Sequence, residues 1–591
     1  METEWLLDNI YPSVDSEEFK ADVQAFKTQL ESLNKWAKTA FTSKNKPERV
    51  IYEYIVMKNR LMQYEKLIVY VNLAMSVDTA NEKLSSVLDT LEKTAADCAE
   101  HEALFSQYLK GVDNIDEIIK NNRILTSHGY FLRKSKKDSE HTLYPEQEII
   151  ISKMKNTGSS LWKKQWEQIT ANLEIDFEYN GKSYSEPLSS VRNMAYSKDR
   201  GLRIAAYKAE LAAYENIKTP AAFCMNGIKG EVITLSKMRG YSSPLDMTLE
   251  QSRINGDILN AMWGAIKEKL PQLTEYFTAK AELLGYNDKK LPFYELFAPV
   301  GDDPQYTLEQ ARDTVIDSFT AFSRELGGFA KKAFEKRWID LMPRKGKTGG
   351  AFCEVVHSIK ESRIMTNFGG TFNDVVTIAH ELGHAYHDTK LYNAEPLNSF
   401  YPMPIAETAS TLCETVLINE VLKTADNNTA LIILENDLSG IMQTLSDIYS
   451  RFLFEDRVFE LRAQGTLSAD SLCEIMIQAQ REAYNNTLSE DYMHRYMWLC
   501  KPHYYDSDFN YYNFPYAFGM LLSKALYGKY KEMGSDFISL YDKLLSATGT
   551  NNLAQVAKIA GFDLTDTAFW LNSLSIILDE VKDFISILKK R

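Results

Sequence analysis

The strongest constraint on the fold of this chain is an H-E-x-x-H motif at residues 380–384. This is the pattern of a helix that is buried around a polar stripe, because apolar residues flank and interrupt the motif. These residues are Ile378, Ala379, Leu382 and Ala385. On a helix, His380 and His384 lie one turn apart on the same face, with Glu381 beside them. The segment 377–387 therefore predicts a helix that carries a polar functional site.

The spacing of the motif predicts a metal site. The chain has nine histidines, and three of them (His380, His384 and His387) fall within eight residues. A buried stripe of two histidines and a glutamate would be costly without a metal ion or other partners. Two imidazoles and an open position suit a catalytic zinc ion, and Glu381 is placed to act as a general base. The motif thus predicts a zinc hydrolase with His380 and His384 as ligands.

The third ligand has to come from outside the motif. A metzincin is excluded, because position 387 is His where that class needs Gly and position 390 is Lys where it needs the third His. Pro402 and Pro404 predict the start of a second helix that runs to Leu422. On this helix Glu407 can face the first helix, and we predict it as the third zinc ligand.

Three further residues near the motif are weaker candidates. Glu395 precedes a proline in a loop rich in Asn and Pro. Glu414 lies two turns beyond Glu407 and is expected to support the site or to lie at the surface. We interpret His387 as part of the cleft wall or as a packing residue.

Motifs along nearly the whole chain resemble the oligoendopeptidase F branch of the thimet oligopeptidase family. The most specific of them surround the metal site, at residues 374–385, 407–410 and 414. The others are 239–241 with 243–245, 294–299, 350–353, 367–371, 502–505 and 516–519. The resemblance implies a mainly α, multi-lobed helical fold of the zincin type, with a small β-sheet beside the metal helix and a deep substrate channel. It also implies one Zn²⁺ per chain and the cleavage of internal bonds in short oligopeptides.

The same resemblance implies a flexible, tyrosine-bearing loop that donates hydrogen bonds to the oxyanion of the reaction. It corresponds here to residues 503–516. His503 and Tyr512 are the residues that we predict to contact the transition state or the substrate, and Tyr516 is the third candidate. The loop departs from related enzymes, which often carry tyrosine where this chain has Phe514, and it is longer.

The composition of the chain limits the classes of molecule that it is expected to bind. The formal net charge of −14 argues against nucleic acid, whose phosphates would be repelled. We expect no secretory signal at the N-terminus and no membrane span, since no apolar run reaches the required length. The six cysteines include no C-x-x-C pair and are expected to be free thiols in a reducing compartment. The sequence therefore predicts a cytoplasmic enzyme with short peptides as its partners, and it leaves the oligomeric state open.

Helical periodicity dominates the chain. The apolar stripe from Val50 to Val71 predicts one long bundle helix, and we predict an N-terminal helical lobe at 1–185 and a catalytic domain at 186–591. Alternation at 174–179 before Asn180-Gly181 predicts a hairpin, and Ser197 is expected to cap the next helix.

A second strand region precedes the metal helix. Residues 345–350 read as a hairpin tip, and 351–359 and 363–368 as strands. The edge of this sheet could bind an extended peptide, or the hairpin could be purely structural.

Two other functions remain open at this stage. A helical zinc carboxypeptidase would share the metal helix but would remove residues singly from the C-terminus. A non-catalytic peptide-binding protein on the same scaffold is disfavoured, because metal binding does not require Glu381 and yet it is present.

Overall fold

The computed structural model describes residues 2–590 of the chain, which are mainly α-helical. The strands are β1 (Glu174–Tyr179), β2 (Lys182–Pro187), β3 (Ile339–Asp340), β4 (Phe352–Val356) and β5 (Glu361–Met365). The α-helices are Glu17–Ala40, Pro47–Met62, Glu65–Ser76, Glu82–Ala96, Cys98–Lys110, Ile115–Lys120, Arg123–Ser127, Gly129–Glu140, Pro145–Lys155, Ser159–Ala171, Leu188–Asn193, Arg200–Met238, Pro244–Gln251, Gly256–Leu273, Glu275–Leu283, Leu308–Phe322, Arg324–Glu335, Phe372–Thr389, Met403–Leu422, Asn427–Met442, Ile448–Arg462, Ala469–Ala483, Phe514–Met533, Phe537–Ser546, Leu553–Ile559 and Thr567–Lys589. The predicted mainly α fold class is confirmed.

The chain forms two compact units, and each of them is discontinuous in sequence. Unit 1 comprises residues 1–142, 304–423 and 529–562, and unit 2 comprises 143–303, 424–528 and 563–591. The boundary that the sequence suggested near residue 185 lies inside unit 2. The division into an N-terminal lobe and a catalytic domain stays a prediction.

Unit 1 contains a small three-stranded sheet in the order β3-β5-β4. β4 and β5 are antiparallel, from Phe352 opposite Met365 to Val356 opposite Glu361, and β3 runs parallel to β5. The predicted strand 351–359 is too long, because a 3₁₀ turn follows Val356 and Lys360 adopts a left-handed conformation with φ of 55°. The hairpin turn therefore lies at 357–360 rather than at 345–350.

The sheet packs against the helix Phe372–Thr389, which in turn packs against the helix Met403–Leu422. This pair contains the predicted metal residues, and both helices are confirmed. Their backbones come close at Gly383, where an added Cβ would lie 2.6 Å from Ser410 Cα and 2.8 Å from the Ala409 carbonyl oxygen. Only glycine allows this approach without movement of one helix.

The prediction of one long helix across Val50–Val71 is wrong. One helix ends at Met62 and the next begins at Glu65. Apolar spacing continues across the break, so periodicity alone does not show that one helix ends and another begins. Tyr64 lies at the break, where its hydroxyl accepts a hydrogen bond of 2.8 Å from Gln29.

Unit 2 contains the predicted hairpin and a helix of 39 residues, Arg200–Met238. β1 and β2 pair across Asn180 and Gly181, which have φ angles of 51° and 71°. Both residue types tolerate the positive φ of a tight hairpin turn, which explains why the sequence signal succeeded. The cap prediction was wrong by two residues: Asp199 caps the long helix, and Ser197 accepts a hydrogen bond from the Asp199 backbone N–H.

The structure bears on two expectations from composition, which concern the cysteines and a membrane span. All six cysteines are free thiols, as predicted. Within residues 2–590, no helix is both long enough and apolar enough to cross a membrane.

The close approach of the two helices at Gly383 can be tested through the stability of a variant. Gly383→Ala would force the two helices apart, and we expect a loss of about 1–3 kcal/mol, the usual cost of overpacking. Gly328 is the matched control, because it is also helical and lies in unit 1, but an added Cβ there would meet nothing within 4 Å. Gly328→Ala should raise stability by roughly 0.5–1 kcal/mol. Thermal unfolding of both variants checks this, and an equal rise in melting temperature would contradict the packing argument.

Candidate metal centre

The first helix of the site begins with a capping box. The Thr371 hydroxyl oxygen accepts a hydrogen bond of 3.2 Å from the Asp374 backbone N–H, and the Asp374 carboxylate accepts one of 2.9 Å from the Thr371 backbone N–H. These two bonds satisfy donors at the helix start and fix its first turn. The buried face of this helix fixes the position of its polar residues. The apolar side chains of this face are Val375, Ile378, Ala379, Leu382 and Ala385.

The two helices bring three potential metal ligands together in unit 1. His380 Nε2 lies 3.2 Å from His384 Nε2 and 3.4 Å from Glu407 Oε2, and His384 Nε2 lies 3.6 Å from Glu407 Oε2. Ligand atoms of a tetrahedral zinc ion, at about 2.0–2.1 Å from the metal, are separated by roughly 3.3–3.4 Å. The side chains therefore fit a zinc ion without rearrangement.

Neighbouring groups orient each of the three side chains. The Glu414 carboxylate is hydrogen-bonded to His380 Nδ1, and the Ala406 backbone carbonyl accepts a hydrogen bond from the His384 ring. Ser410 Oγ donates to Glu407 Oε2 at 3.1 Å. Contacts of this kind fix the tautomer and direction of metal-binding side chains. Ser410 is not among the residues predicted from the sequence, although its position three residues after Glu407 on one helix was the available signal.

The two histidines differ in pKa. Burial and, after it, the neighbouring His380 together lower the pKa of His384 to about 4, so that His384 is neutral at neutral pH. Burial also lowers the pKa of His380, but the carboxylates of Glu414 and Glu407 outweigh this effect and raise its pKa well above the usual value. Binding of a cation at His380 would therefore release a proton.

Glu381 is set apart from the ligand group. It is 6% exposed, and its Oε2 atom is buried without a hydrogen-bond partner among residues 2–590. Burial, opposed by His380 and assisted by Glu407 and Glu414, raises the pKa of Glu381 to about 7. A carboxylate with a pKa near neutrality is suited to accept and return a proton.

The other two candidates near the motif do not join the group. His387 is fully buried, its Nε2 lies 2.9 Å from the Thr548 hydroxyl, and its ring stacks on Tyr401 at 4.0 Å. These contacts are those of a packing residue. Glu395 is exposed and precedes a short 3₁₀ turn.

The predicted loop residues lie in unit 2, where they form a cluster of their own. His503 sits in the 3₁₀ turn Pro502–Tyr505, and its ring centroid is 6.0 Å from that of Tyr512. The hydroxyls of Tyr512 and Tyr516 are 3.3 Å apart. Burial lowers the pKa of His503 well below its usual value, and Arg451 lowers it further. The action of these residues on a substrate stays a prediction.

A buried ion pair in unit 2 holds this loop. Lys229 Nζ donates to Glu455 Oε1 at 2.6 Å and to Asn510 Oδ1 at 3.2 Å, and the pair is almost fully buried. The other oxygen of Glu455 accepts a hydrogen bond of 2.9 Å from the Tyr511 backbone N–H. Removal of one partner from such a pair typically costs about 3–5 kcal/mol. The backbone next to Tyr512 is therefore tied to the helices of the unit.

Two solved structures share this fold. A solved chain from Chlamydophila abortus superposes with a TM-score of 0.85 at 21% identity, covering 99% of this chain and 98% of that one. Oligoendopeptidase-F from Enterococcus faecium superposes with a TM-score of 0.71 at 18% identity, covering 97% of this chain and all of that one. These likenesses support the helical architecture.

Sequence comparison gives the family. Oligopeptidase PepF of Bacillus subtilis (strain 168) is 23% identical over 578 residues, which are 95% of this chain and 84% of that protein. The family model of peptidase family M3 matches residues 193–576, a span that includes the metal group and the loop and covers more than half of the chain. The chain therefore belongs to peptidase family M3.

Proposed function

We propose that this peptidase is a zinc metalloendopeptidase that hydrolyses internal bonds of short oligopeptides. The observation that carries the proposal is the buried Glu381 carboxyl, whose Oε2 has no hydrogen-bond partner within residues 2–590, beside the group of His380, His384 and Glu407. The names of relatives support the substrate class, since they include Oligopeptidase PepF and an oligoendopeptidase F homolog from Lactococcus lactis. A cytoplasmic location stays a prediction.

The residues have distinct roles in this reaction. His380, His384 and Glu407 would hold the zinc ion, which when bound polarises a carbonyl and lowers the pKa of water. Glu381 accepts a proton from the attacking water and later delivers it to the leaving amine. Its raised pKa keeps the energetic cost of both transfers small near neutral pH.

The sheet beside the metal helix suits an extended substrate. β4 is the last strand in the order β3-β5-β4, and no other strand within residues 2–590 pairs with its outer edge. Backbone hydrogen bonds to such an edge bind a peptide with little dependence on its sequence. This arrangement favours a peptidase that accepts many short peptides.

In this proposal the loop acts on the oxyanion. Tyr512 would donate its hydroxyl proton in a hydrogen bond to the negative charge that develops on the scissile carbonyl oxygen. His503 would contact the substrate or transition state as a neutral imidazole, which agrees with its lowered pKa. Tyr516 lies close enough to Tyr512 to share this role.

Product mapping tests the proposed function against its rivals. An internally quenched peptide with a blocked C-terminus is incubated with the zinc-loaded protein, and the products are identified by mass spectrometry. Internal cleavage is expected. A carboxypeptidase would leave this peptide intact but would shorten its unblocked version one residue at a time. A peptide-binding protein would bind both peptides and cleave neither.

Glu381→Gln tests the general base. The change keeps the shape of the side chain and all metal ligands, so we expect normal zinc content and a rate lowered by about 10² to 10⁴. Glu395→Gln is the control, because Glu395 is an exposed glutamate of the same unit and its removal should leave the rate unchanged. Turnover and zinc content are measured on both variants. Near-normal turnover by zinc-loaded Glu381→Gln would refute the mechanism.

Glu407 and Glu414 are expected to differ in their effect on the metal. Glu407→Ala removes a ligand oxygen and should leave the protein largely without zinc after dialysis. Glu414→Gln keeps an acceptor for His380 Nδ1, so its affinity for zinc should fall by tenfold or less. Metal analysis of the dialysed variants decides between them. Full zinc in Glu407→Ala together with its loss from Glu414→Gln would reverse the assignment.

Tyr512→Phe tests the oxyanion role. If the hydroxyl contacts charge that exists only in the transition state, kcat and kcat/KM should fall together by about 10² to 10³, with KM nearly constant. Tyr184→Phe controls for the loss of a tyrosine hydroxyl in unit 2, since Tyr184 lies on the hairpin and stacks on Phe177. Steady-state kinetics on one quenched peptide measures both variants. An unchanged kcat would leave His503 and Tyr516 as the candidates.

A further inference from the structure

Unit 2 contains a cavity of about 200 Å³ whose walls carry more positive than negative charge. All of its lining residues lie between 191 and 297 or between 443 and 501, which are parts of this unit. One wall includes the π-helical turn Gln443–Asp447, a rare geometry that is frequently found at functional sites. The ionised side chains in the walls are four basic and two acidic: Arg192, Arg203, Arg451 and Lys501, with Glu210 and Asp447.

Both acidic side chains are already neutralised by arginines. Arg192 donates to Glu210 at 2.5 Å, and Arg451 donates to the Asp447 carboxylate. Burial raises the pKa of Glu210, but His494 and Arg192 outweigh it and lower the pKa to about 2, so this acid is ionised and paired. The acids of the cavity therefore have little charge left to offer a further cation.

Arg203 is also paired, but with an acid outside the cavity lining. Its guanidinium donates to Glu295 at 2.5 Å. Glu295 is fully buried and also pairs with Arg200.

Lys501 is the basic side chain without a partner. Within residues 2–590, its ammonium group forms no hydrogen bond and no ion pair within 4 Å. Burial lowers its pKa and Arg451 lowers it further, whereas Asp447 attracts it only from beyond ion-pair distance. A partly buried cation among other cations is unfavourable unless an anion approaches it.

The walls also contain hydrogen-bond donors that are not used. Arg203 Nε and Arg451 Nε are buried and have no acceptor among residues 2–590. Arg203 itself is 3% exposed. Buried donors are rarely left without an acceptor, and these two line the same cavity as the unpaired ammonium group. A negatively charged ligand in the cavity would answer the unpaired charge of the ammonium group.

We propose that this cavity is a binding site for a small anion, a carboxylate or a phosphate, and that Lys501 is its main charge partner. Guanidinium and ammonium groups recognise both kinds of anion through charge-assisted hydrogen bonds. The volume has room for such an ion together with several water molecules. The site is distinct from the residues that would hold zinc, which belong to unit 1.

Calorimetric titration with inorganic phosphate and, separately, with acetate tests the proposal at constant ionic strength. We compare the wild-type protein with Lys501→Met and with Lys164→Met, in which an exposed lysine of the same unit is removed. The expected result is saturable binding of at least one anion, tenfold or more weaker in Lys501→Met and unchanged in Lys164→Met. The arm that shows this loss identifies the chemistry as phosphate or carboxylate.

Two outcomes would overturn the proposal, and one further variant serves as a control. An anion that binds at the metal centre or at the general surface would bind all three proteins equally, and equal affinity would overturn the proposal. So would the absence of saturable binding of either anion, the result expected if the cavity holds only water. Lys501→Arg keeps the charge and should retain binding. Lys501→Gln replaces Lys501→Met if circular dichroism shows that the latter is unfolded.

Discussion

The contact between the helix Phe372–Thr389 and the helix Met403–Leu422 sets the geometry of the metal group. Two of the three ligand side chains come from the first helix and one from the second, so a shift of either backbone would change their distances together. Gly383 permits this contact because it has no side chain to place against Ser410. Gly383, which directly precedes His384 in the motif, therefore has a packing role. A substitution at Gly383 would disturb stability and metal binding together.

Around this contact, burial and nearby charges shift the pKa values of neighbouring side chains in opposite directions. Glu381 is buried, its Oε2 atom has no hydrogen-bond partner among residues 2–590, and its pKa rises to about 7. Burial also raises the pKa of Glu407, but the hydrogen bond from His380, with that from Ser410, holds the pKa of this carboxyl below its usual value. Two glutamates in one site therefore differ in protonation: one is suited to transfer a proton and the other to remain a charged ligand.

The sequence predicted which three side chains the structure brings together more closely than it predicted the bounds of the elements around them. His380, His384 and Glu407 follow from helical spacing, and Asn180-Gly181 from local turn geometry, because these signals are short in range. The helix break at Tyr64 and the end of β4 at Val356 were missed, because apolar spacing continues across the first and the second is set by the backbone conformation at Lys360. Lys229 and Glu455 are 226 residues apart, so no local pattern could pair them. Sequence alone could not show that this pair holds the loop beside Tyr512.

The basic side chains of unit 2 connect its cavity with its loop. Arg451 and Lys501 line the cavity, and both also lower the pKa of His503, after the larger effect of burial. Burial and, to a lesser degree, these nearby cations keep the His503 imidazole neutral. A neutral imidazole has one donor and one acceptor nitrogen, whereas its protonated form has two donors. Burial, assisted by these cations, therefore leaves His503 with one donor and one acceptor nitrogen for hydrogen bonds.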